Sequence, residues 1–298
     1  MPRTAWTRDR MAAQDGRCFV VTGATGGLGL EVTRALAVAG AEVVMAVRDV
    51  ARGEAAAERV RRTGARGRVE VRLLDVSDLG SVRTFAEELD RVDVLVNNAG
   101  IMAVPERRTV DGFESQIGTN HLGHFALSNL VLPRLTDRVV VVSSASHRSG
   151  DLDVDDLDFE RRGYSAYGAY AQSKLANLLF VAELQRRLDD CGSSLRATAA
   201  HPGYTATGIQ GGTGSRAFTG LSNLGNALFG MKPSQGALPI LFAATEDLPG
   251  NSYVGPSGPG ELFGHPTLVG RSPRANDSDL AAALWRRSES LTGVDWPL

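Results

Sequence analysis

The sequence predicts a single α/β domain built on a mainly parallel sheet, and three observations carry that prediction. Apolar runs of strand length alternate with stretches of helical period along most of the chain. The runs are apolar almost throughout, as in strands covered on both faces, rather than at every second residue. The first run meets the first helical stretch at a glycine-rich junction, TGATGGLG, residues 22–29. A length of 298 residues suits one large domain of this kind, or two small ones. With 43% apolar residues, the core needs no disulfide or metal staple.

Taken in order, RCFVVTG (17–23) is the first strand and LGLEVTRALAVAG the first helix. AEVVMAV (41–47) is the second strand, followed by a charged helix over 51–62; RVEVRLLDV (68–76) is the third. Asp78 opens the next helix as an N-cap, and VDVLVNNAG (92–100) is the fourth strand. Residues 111–135 read as one long helix, 138–144 as a fifth strand and 165–188 as the longest helix. A sixth strand at 194–203, a helix at 234–247 and a seventh strand at 251–256 complete the series. Two stretches look irregular, 204–235 and the tail after Gly255. The first follows a strand end, where open α/β sheets hold ligands, so it reads as a flap.

A net charge of −2 gives no electrostatic case for nucleic acid or an anionic membrane as partner. Cys18 and Cys191 stand far apart and fit no metal spacing, which points to a reducing compartment. No apolar run approaches the roughly 18 residues of a membrane-spanning helix, and the start, MPRTAWTRDRMAAQDG, has no signal-peptide core. The expectation is a cytoplasmic protein without a membrane span.

Glycines at a strand-to-helix junction let the backbone approach a pyrophosphate at the head of the helix. Here the spacing reads TGxxxGxG through Gly23, Gly27 and Gly29, or TGxxGxxG through Gly23, Gly26 and Gly29. This junction, NNAG at 97–100, Ser144 ending VVVVSS, YAQSK at 170–174 and HPG at 201–203 follow an order that resembles the short-chain dehydrogenase/reductase family, over about Gly16 to Pro249. LDVSDLGSVRTFA, VNNAGIM, TNHLGHF and AYAQSKLANLLF are similar to its retinol dehydrogenase and protochlorophyllide reductase-like subgroup. The resemblance implies a Rossmann-type, doubly wound sheet of seven strands and an oxidoreductase using a nicotinamide cofactor. It also implies dimers or tetramers formed through the helix that holds Tyr170. The domain would run over 17–255, with 1–16 as an arm, 204–235 as a substrate flap and 256–298 as a tail packed on the domain.

The same resemblance implies a catalytic set of Asn120, Ser144, Tyr170 and Lys174, with Asn120 holding a water that links the lysine to solvent. The implied cofactor residues at the junction are Gly23, Thr25, Gly27, Leu28 and Gly29. Asp75, Val76, Asn98, Ala99 and Gly100 would line the adenosine half; Pro202, Gly203, Thr205 and Thr207 would grip the nicotinamide end and phosphates. Tyr170 and Lys174 would touch the cofactor as well, the lysine through the nicotinamide ribose.

The residues themselves support this chemistry. Only Lys174 and Lys232 are lysines among 32 basic side chains, so the lysine of YAQSK is a choice against the prevailing arginine. Tyr170 and Lys174, four apart, share a helix face. A phenol with a pKa of about 10 is a poor base near neutrality, and an ammonium beside it would close the gap. Lysine offers a compact charge with rotatable donors where a planar guanidinium would crowd the ribose. Ser144 can reach a carbonyl oxygen, whereas Ser143 points the other way. Tyr164 and Tyr167 either pack or line the substrate side. His121 and His124 read as packing histidines, not a metal pair. The acid-rich stretch 147–168 resembles an insertion of the subgroup and reads as a surface loop near the substrate entrance.

For the cofactor, Arg48 follows the end of the second strand, where its guanidinium can pair with a 2′-phosphate. Asp49 reads as a helix cap, although it also stands where an NAD-type acid could. The reading is therefore NADP(H), with NAD(H) as runner-up. The expected reaction is hydride transfer between an alcohol and a ketone or aldehyde on a hydrophobic small molecule. The alternatives are carbon–carbon double-bond reduction, to which the protochlorophyllide branch brings cysteines near the pocket, and a non-catalytic cofactor sensor.

Overall fold

The structure is a computed structural model and describes residues 5–204 and 231–298. Thr205, Thr207 and most of the expected flap lie outside the described residues. The valine-rich runs form the centre of one eight-stranded sheet: β1 (Cys18–Thr22), β2 (Glu42–Val47), β3 (Val69–Leu73), β4 (Val92–Asn97), β5 (Leu135–Val142), β6 (Arg196–Ala200), β7 (Tyr253–Pro256) and β8 (Pro266–Leu268). Their order is β3-β2-β1-β4-β5-β6-β7-β8. All pairs through β7 are parallel, and β8 is antiparallel to β7. The order reverses direction between β1 and β4, so the crevice at their carboxyl ends is the topological switch point.

Helices cover both faces, as strands buried on two sides require. On one face α1 (Gly27–Val38) and α2 (Val50–Arg61) bury Leu28, Val32, Leu36 and Val60 against β1, β2 and β3, and α8 (Leu238–Thr245) buries Ile240 against β5, β6 and β7. On the other, α3 (Leu79–Glu87), α5 (Gly123–Val131), α6 (Ala166–Asp190) and α9 (Ser278–Thr292) enclose Phe85, Phe125, Leu179 and Trp285. Two short turns, α4 (Ser115–Ile117) and α7 (Pro233–Gly236), precede α5 and α8. Side-chain caps start the helices where the sequence places them: Asp78 accepts from Gly80 and Ser81 amides, Asp49 from Arg52 and Ser165 from Gly168.

The structure departs from expectation at three places. The sheet has eight strands, not seven, because the tail read as irregular supplies β8 and then α9. Asp277 caps α9 by accepting from the Leu280 amide, and Gly293 ends it at φ 60°. The helix expected over 111–135 starts only at Ser115 and is interrupted by a π-helical turn, Gly118–Leu122. Its first residues are held apart by the bridge between Arg108 and Glu114. Finally, the 147–168 stretch is not a solvated loop throughout. Asp156 is buried against Arg162 at 3.0 Å, and Asp158 accepts from the Glu114 amide at 2.6 Å.

Both ends of the described chain are tied to the domain. Trp6 packs edge-on against Phe242 at 5.4 Å and donates to Glu246 at 2.9 Å. Trp285 lies 4.9 Å from Phe125 and stacks on Phe180 at 5.7 Å, so α9 covers the face that α5 and α6 share.

Candidate active site

Two groups of residues meet at the carboxyl ends of the strands. The first is a cleft of about 630 Å³ lined by Gly23, Thr25, Gly27, Leu28, Gly29, Arg48, Asp75, Val76, Asn98, Ala99 and Gly100, together with Arg52, Arg107 and Arg108. Its floor is built by close backbone approach. Gly23 has φ +68°, and a Cβ there would stand 2.9 Å from Ala99 Cα. A Cβ on Gly29 would meet the Gly23 carbonyl at 2.5 Å. Thr22, wholly buried, fixes the facing loop: its hydroxyl accepts from the Asn98 and Ala99 amides at 2.9 Å each. Asn98 returns the contact, its side-chain amide donating to the Thr22 carbonyl at 2.8 Å.

The cleft suits a dinucleotide. α1 begins at Gly27 with no side-chain cap and no acid in its first turn. Its leading amides are thus left to an anion from the cleft, and a pyrophosphate there would meet the positive end of the helix. Arg48 and Arg52 stand together at the end of β2 and the head of α2, while Asp49 spends its carboxylate on capping the Arg52 amide. Asp75 and Val76 lie just past the end of β3, where the Asp75 carboxylate accepts from Ser77 at 2.6 Å. Arg52 follows Arg48 by four residues, a spacing visible in the sequence. Arg107 and Arg108 come from an irregular loop, and no periodicity announces them.

The second group holds the expected catalytic residues. β5 ends at Val142, and Ser144 caps a 3-10 turn, Ala145–Ser149, its hydroxyl accepting from the Ser146 amide at 3.2 Å. Ser143 points away, as alternation requires, and donates to the Lys174 carbonyl at 2.8 Å. Tyr170 and Lys174 sit near the start of α6, both buried. Burial pushes the Tyr170 phenol up to about 12, offset in part by a hydrogen bond with the Ser144 hydroxyl. Burial brings the Lys174 ammonium down to about 8. Lys174 Nζ donates to the Val142 carbonyl at 3.0 Å and stands 5.6 Å from the Tyr170 ring centre. The expected lowering of the tyrosine by the lysine is therefore not met in this form, because desolvation dominates and the ammonium is turned to the end of β5.

Asn120 lies in the π-helical turn and is fully buried. Its side chain accepts from the Ile101 amide at 2.9 Å and donates to the Ile101 carbonyl and to Ser173, each at 2.9 Å. Gly100 joins the two groups: it lines the cleft, and a Cβ on it would be 3.0 Å from Asn120 Oδ1 and 3.7 Å from Lys174 Nζ. Gly203, at φ +69°, turns the chain after β6, with Pro202 before it.

The neighbouring side chains sort plainly. His124 contacts the Thr22 hydroxyl at 3.0 Å and His121 the Ser288 hydroxyl at 2.9 Å; burial lowers them to about 4 and about 3. Both are packing histidines, and no cluster of three or more metal-ligating side chains occurs among the described residues. Tyr164 packs, donating to the Val104 carbonyl at 2.8 Å, whereas Tyr167 is exposed and reaches Ser146 at 3.2 Å. Cys18 sits at the amino end of β1 and Cys191 is exposed at the end of α6, away from the cleft. No helix among the described residues is long and apolar enough to cross a membrane.

Comparison with known proteins agrees with this geometry. The family model for short chain dehydrogenase matches residues 17–216. The chain is 38% identical to retinol dehydrogenase 13 of Homo sapiens over 294 residues, 95% of this chain and 86% of that protein. It is 37% identical to polyprenol dehydrogenase of Danio rerio, over 94% of this chain and 88% of that one. Among solved structures, an uncharacterized protein from Mycobacterium paratuberculosis matches at 52% identity and a TM-score of 0.86, covering 99% of this chain and 100% of that one. An NAD(P) dependent gluconate 5-dehydrogenase structure from Beutenbergia cavernae, with bound NADP, matches at 27% identity and a TM-score of 0.60, covering 78% of this chain and 90% of that one. Fold, site and sequence together place the chain in the short-chain dehydrogenase/reductase family, as an oxidoreductase of its retinol dehydrogenase-like subgroup.

Proposed function

We propose that the protein is an NADP(H)-dependent oxidoreductase that interconverts an alcohol and a ketone or aldehyde on a hydrophobic small molecule. One observation carries the reading: Ser144, Tyr170 and Lys174 are brought together at the end of β5, next to a glycine-floored cleft. A bound nicotinamide supplies or accepts the hydride. In the reducing direction Ser144 donates to the carbonyl oxygen, and Tyr170 gives that oxygen its phenol proton as negative charge develops. A phenol near 12 is fully protonated at neutral pH and ready for this role. In the oxidising direction Tyr170 must first lose its own proton and take that of the alcohol as the phenolate, which needs the Lys174 charge turned toward it.

The α1 terminus would hold the pyrophosphate, Lys174 the ribose, and Arg48 with Arg52 a 2′-phosphate; the arginines support the choice of NADP(H). The names of the relatives, retinol and polyprenol dehydrogenase, support an apolar alcohol or carbonyl as substrate. The remoteness of Cys18 and Cys191 from the cleft speaks against double-bond reduction on the protochlorophyllide pattern. The two free thiols also support a cytoplasmic setting. A panel of aldehydes, ketones and alcohols with NADPH or NADP⁺ tests the reading: turnover of an apolar carbonyl is expected. Tight NADPH binding without turnover of any member would favour the sensor instead.

A further inference from the structure

His147 has no part in the reading above. It lies three residues after Ser144, and 1% of it is exposed. Its Nδ1 stands 2.7 Å from the Ser144 carbonyl oxygen, while the Ser272 amide donates to its Nε2 at 3.2 Å. An imidazole can make both bonds in only one form. Nε2 must accept, so the neutral ring carries its proton on Nδ1, aimed at the Ser144 carbonyl.

The surroundings favour that form. Burial lowers the ring's proton affinity, as do the neighbouring Arg148 and Arg271 cations, against the Ser144 carbonyl and Glu261, which raise it. The Tyr253 ring of β7 meets His147 edge-on at 5.6 Å. Ser272 belongs to the segment between β8 and α9; Arg148 pins that segment through the Gly270 carbonyl at 3.0 Å, and also bonds Glu261, ahead of β8, at 2.9 Å. The turn carrying Ser144 is thus held from behind by the tail, while its hydroxyl faces Tyr170.

We propose that His147 is a positioning residue: its Nδ1–H bond to the Ser144 carbonyl aligns the serine hydroxyl with Tyr170, and the Ser272 amide selects the tautomer that makes this bond. The proposal rests on Ser144 acting in the reaction, and Ser144→Ala checks that separately by abolishing most turnover. Two amide variants then split the two ring nitrogens. Asn places a donor where Nδ1 stands, whereas Gln places an acceptor where Nε2 stands. Both should lower Tm by a similar amount. His147→Asn should stay within about threefold of wild-type kcat, and His147→Gln should lose about tenfold to a hundredfold with cofactor KM unchanged, as a misplaced reacting group does.

Ser272 has φ −65°, so Ser272→Pro removes the tail amide without backbone strain at that residue and should lower kcat with His147 intact. Imidazole ¹⁵N shifts of the wild type should show the Nδ1–H form at neutral pH, independently of activity. An Nε2–H ring would overturn the proposal. So would equal losses of kcat in the Asn and Gln variants, which would make His147 a packing residue only. Full activity in Ser144→Ala would instead overturn the reading on which the proposal rests.

Discussion

Lys174 and Tyr170 stand one helical turn apart on α6, and the lysine ammonium is turned to the Val142 carbonyl, 3.0 Å away, not to the phenol. Its charge is buried without an anionic partner among the described residues, and its pKa has fallen to about 8 from an ordinary 10.5. Such a group weakens the fold at every pH where the unfolded chain carries the charge more readily. The penalty is complete below pH 8, shrinks as pH rises and is gone above 10.5. Lys174→Met should therefore be inactive but more stable than the wild type at pH 7 without cofactor, by on the order of 2 kcal/mol at about 1.36 per pKa unit less a lost hydrogen bond. Denaturant midpoints measured from pH 7 to 11 should converge. A variant less stable than wild type at pH 7 would show that the ammonium is not strained.

Removing the Tyr170 hydroxyl tests the proton donor. Tyr170→Phe should lower kcat by about 10²- to 10⁴-fold, the range for general acid–base groups, while leaving NADPH binding close to wild type. Retention of a tenth or more of wild-type kcat would assign the proton transfer elsewhere.

Cofactor choice depends on Arg48 and Arg52. A charge-assisted pair with a 2′-phosphate contributes about 1.5–3 kcal/mol, so NADPH should be preferred over NADH by roughly tenfold to a hundredfold. Arg48→Ala should remove most of that preference with little change of kcat at saturating cofactor, and Arg52→Ala part of it. Equal kcat/KM for the two cofactors in the unmodified protein would defeat the assignment.

Thr22 connects core and site. Thr22→Val keeps the shape but leaves the half-buried Ala99 amide without its acceptor, at a cost of about 1 kcal/mol. We expect a lower unfolding midpoint together with weaker NADPH binding, read by denaturation and fluorescence titration. Unchanged stability would mean that the loop finds another acceptor.

Most of the parallel sheet, and the motifs that bring the four candidate residues to one sheet edge, are legible in the sequence because they depend on local pattern. Apolar runs mark β1, β2, β4 and β5, and the spacing of Tyr170 and Lys174 survives directly as a helix face. The cap at Asp49, which decides how Arg48 is read, is equally local. What the sequence conceals is set by distant partners. β8 is three residues long and exists only because β7 offers an edge. α9 carries its buried positions, Ala281, Leu284, Trp285 and Ser288, at helical spacing, but glycine and proline before it make the tail read as irregular. The π-helical turn at Asn120 and the two hydrogen bonds of the His147 ring involve residues far apart in the sequence. Neither the direction of the Lys174 ammonium nor the role of Arg107 has any periodic signature.

The covering of α5 and α6 by α9 also has a consequence for biosynthesis. α9 is the last helix of the described chain to leave the ribosome, and Trp285 closes over Phe125 and Phe180 only then. Until that moment the nascent domain presents an aromatic surface, although Asn120, Ser144, Tyr170 and Lys174 have already been translated. Folding to the native state is thereby coupled to the emergence of α9. A chain ending at Asp277 should be captured by chaperones or aggregate during expression, and a separately supplied peptide of 278–298 should restore some soluble protein. A soluble, cooperatively unfolding truncation would show that the domain closes without its final helix.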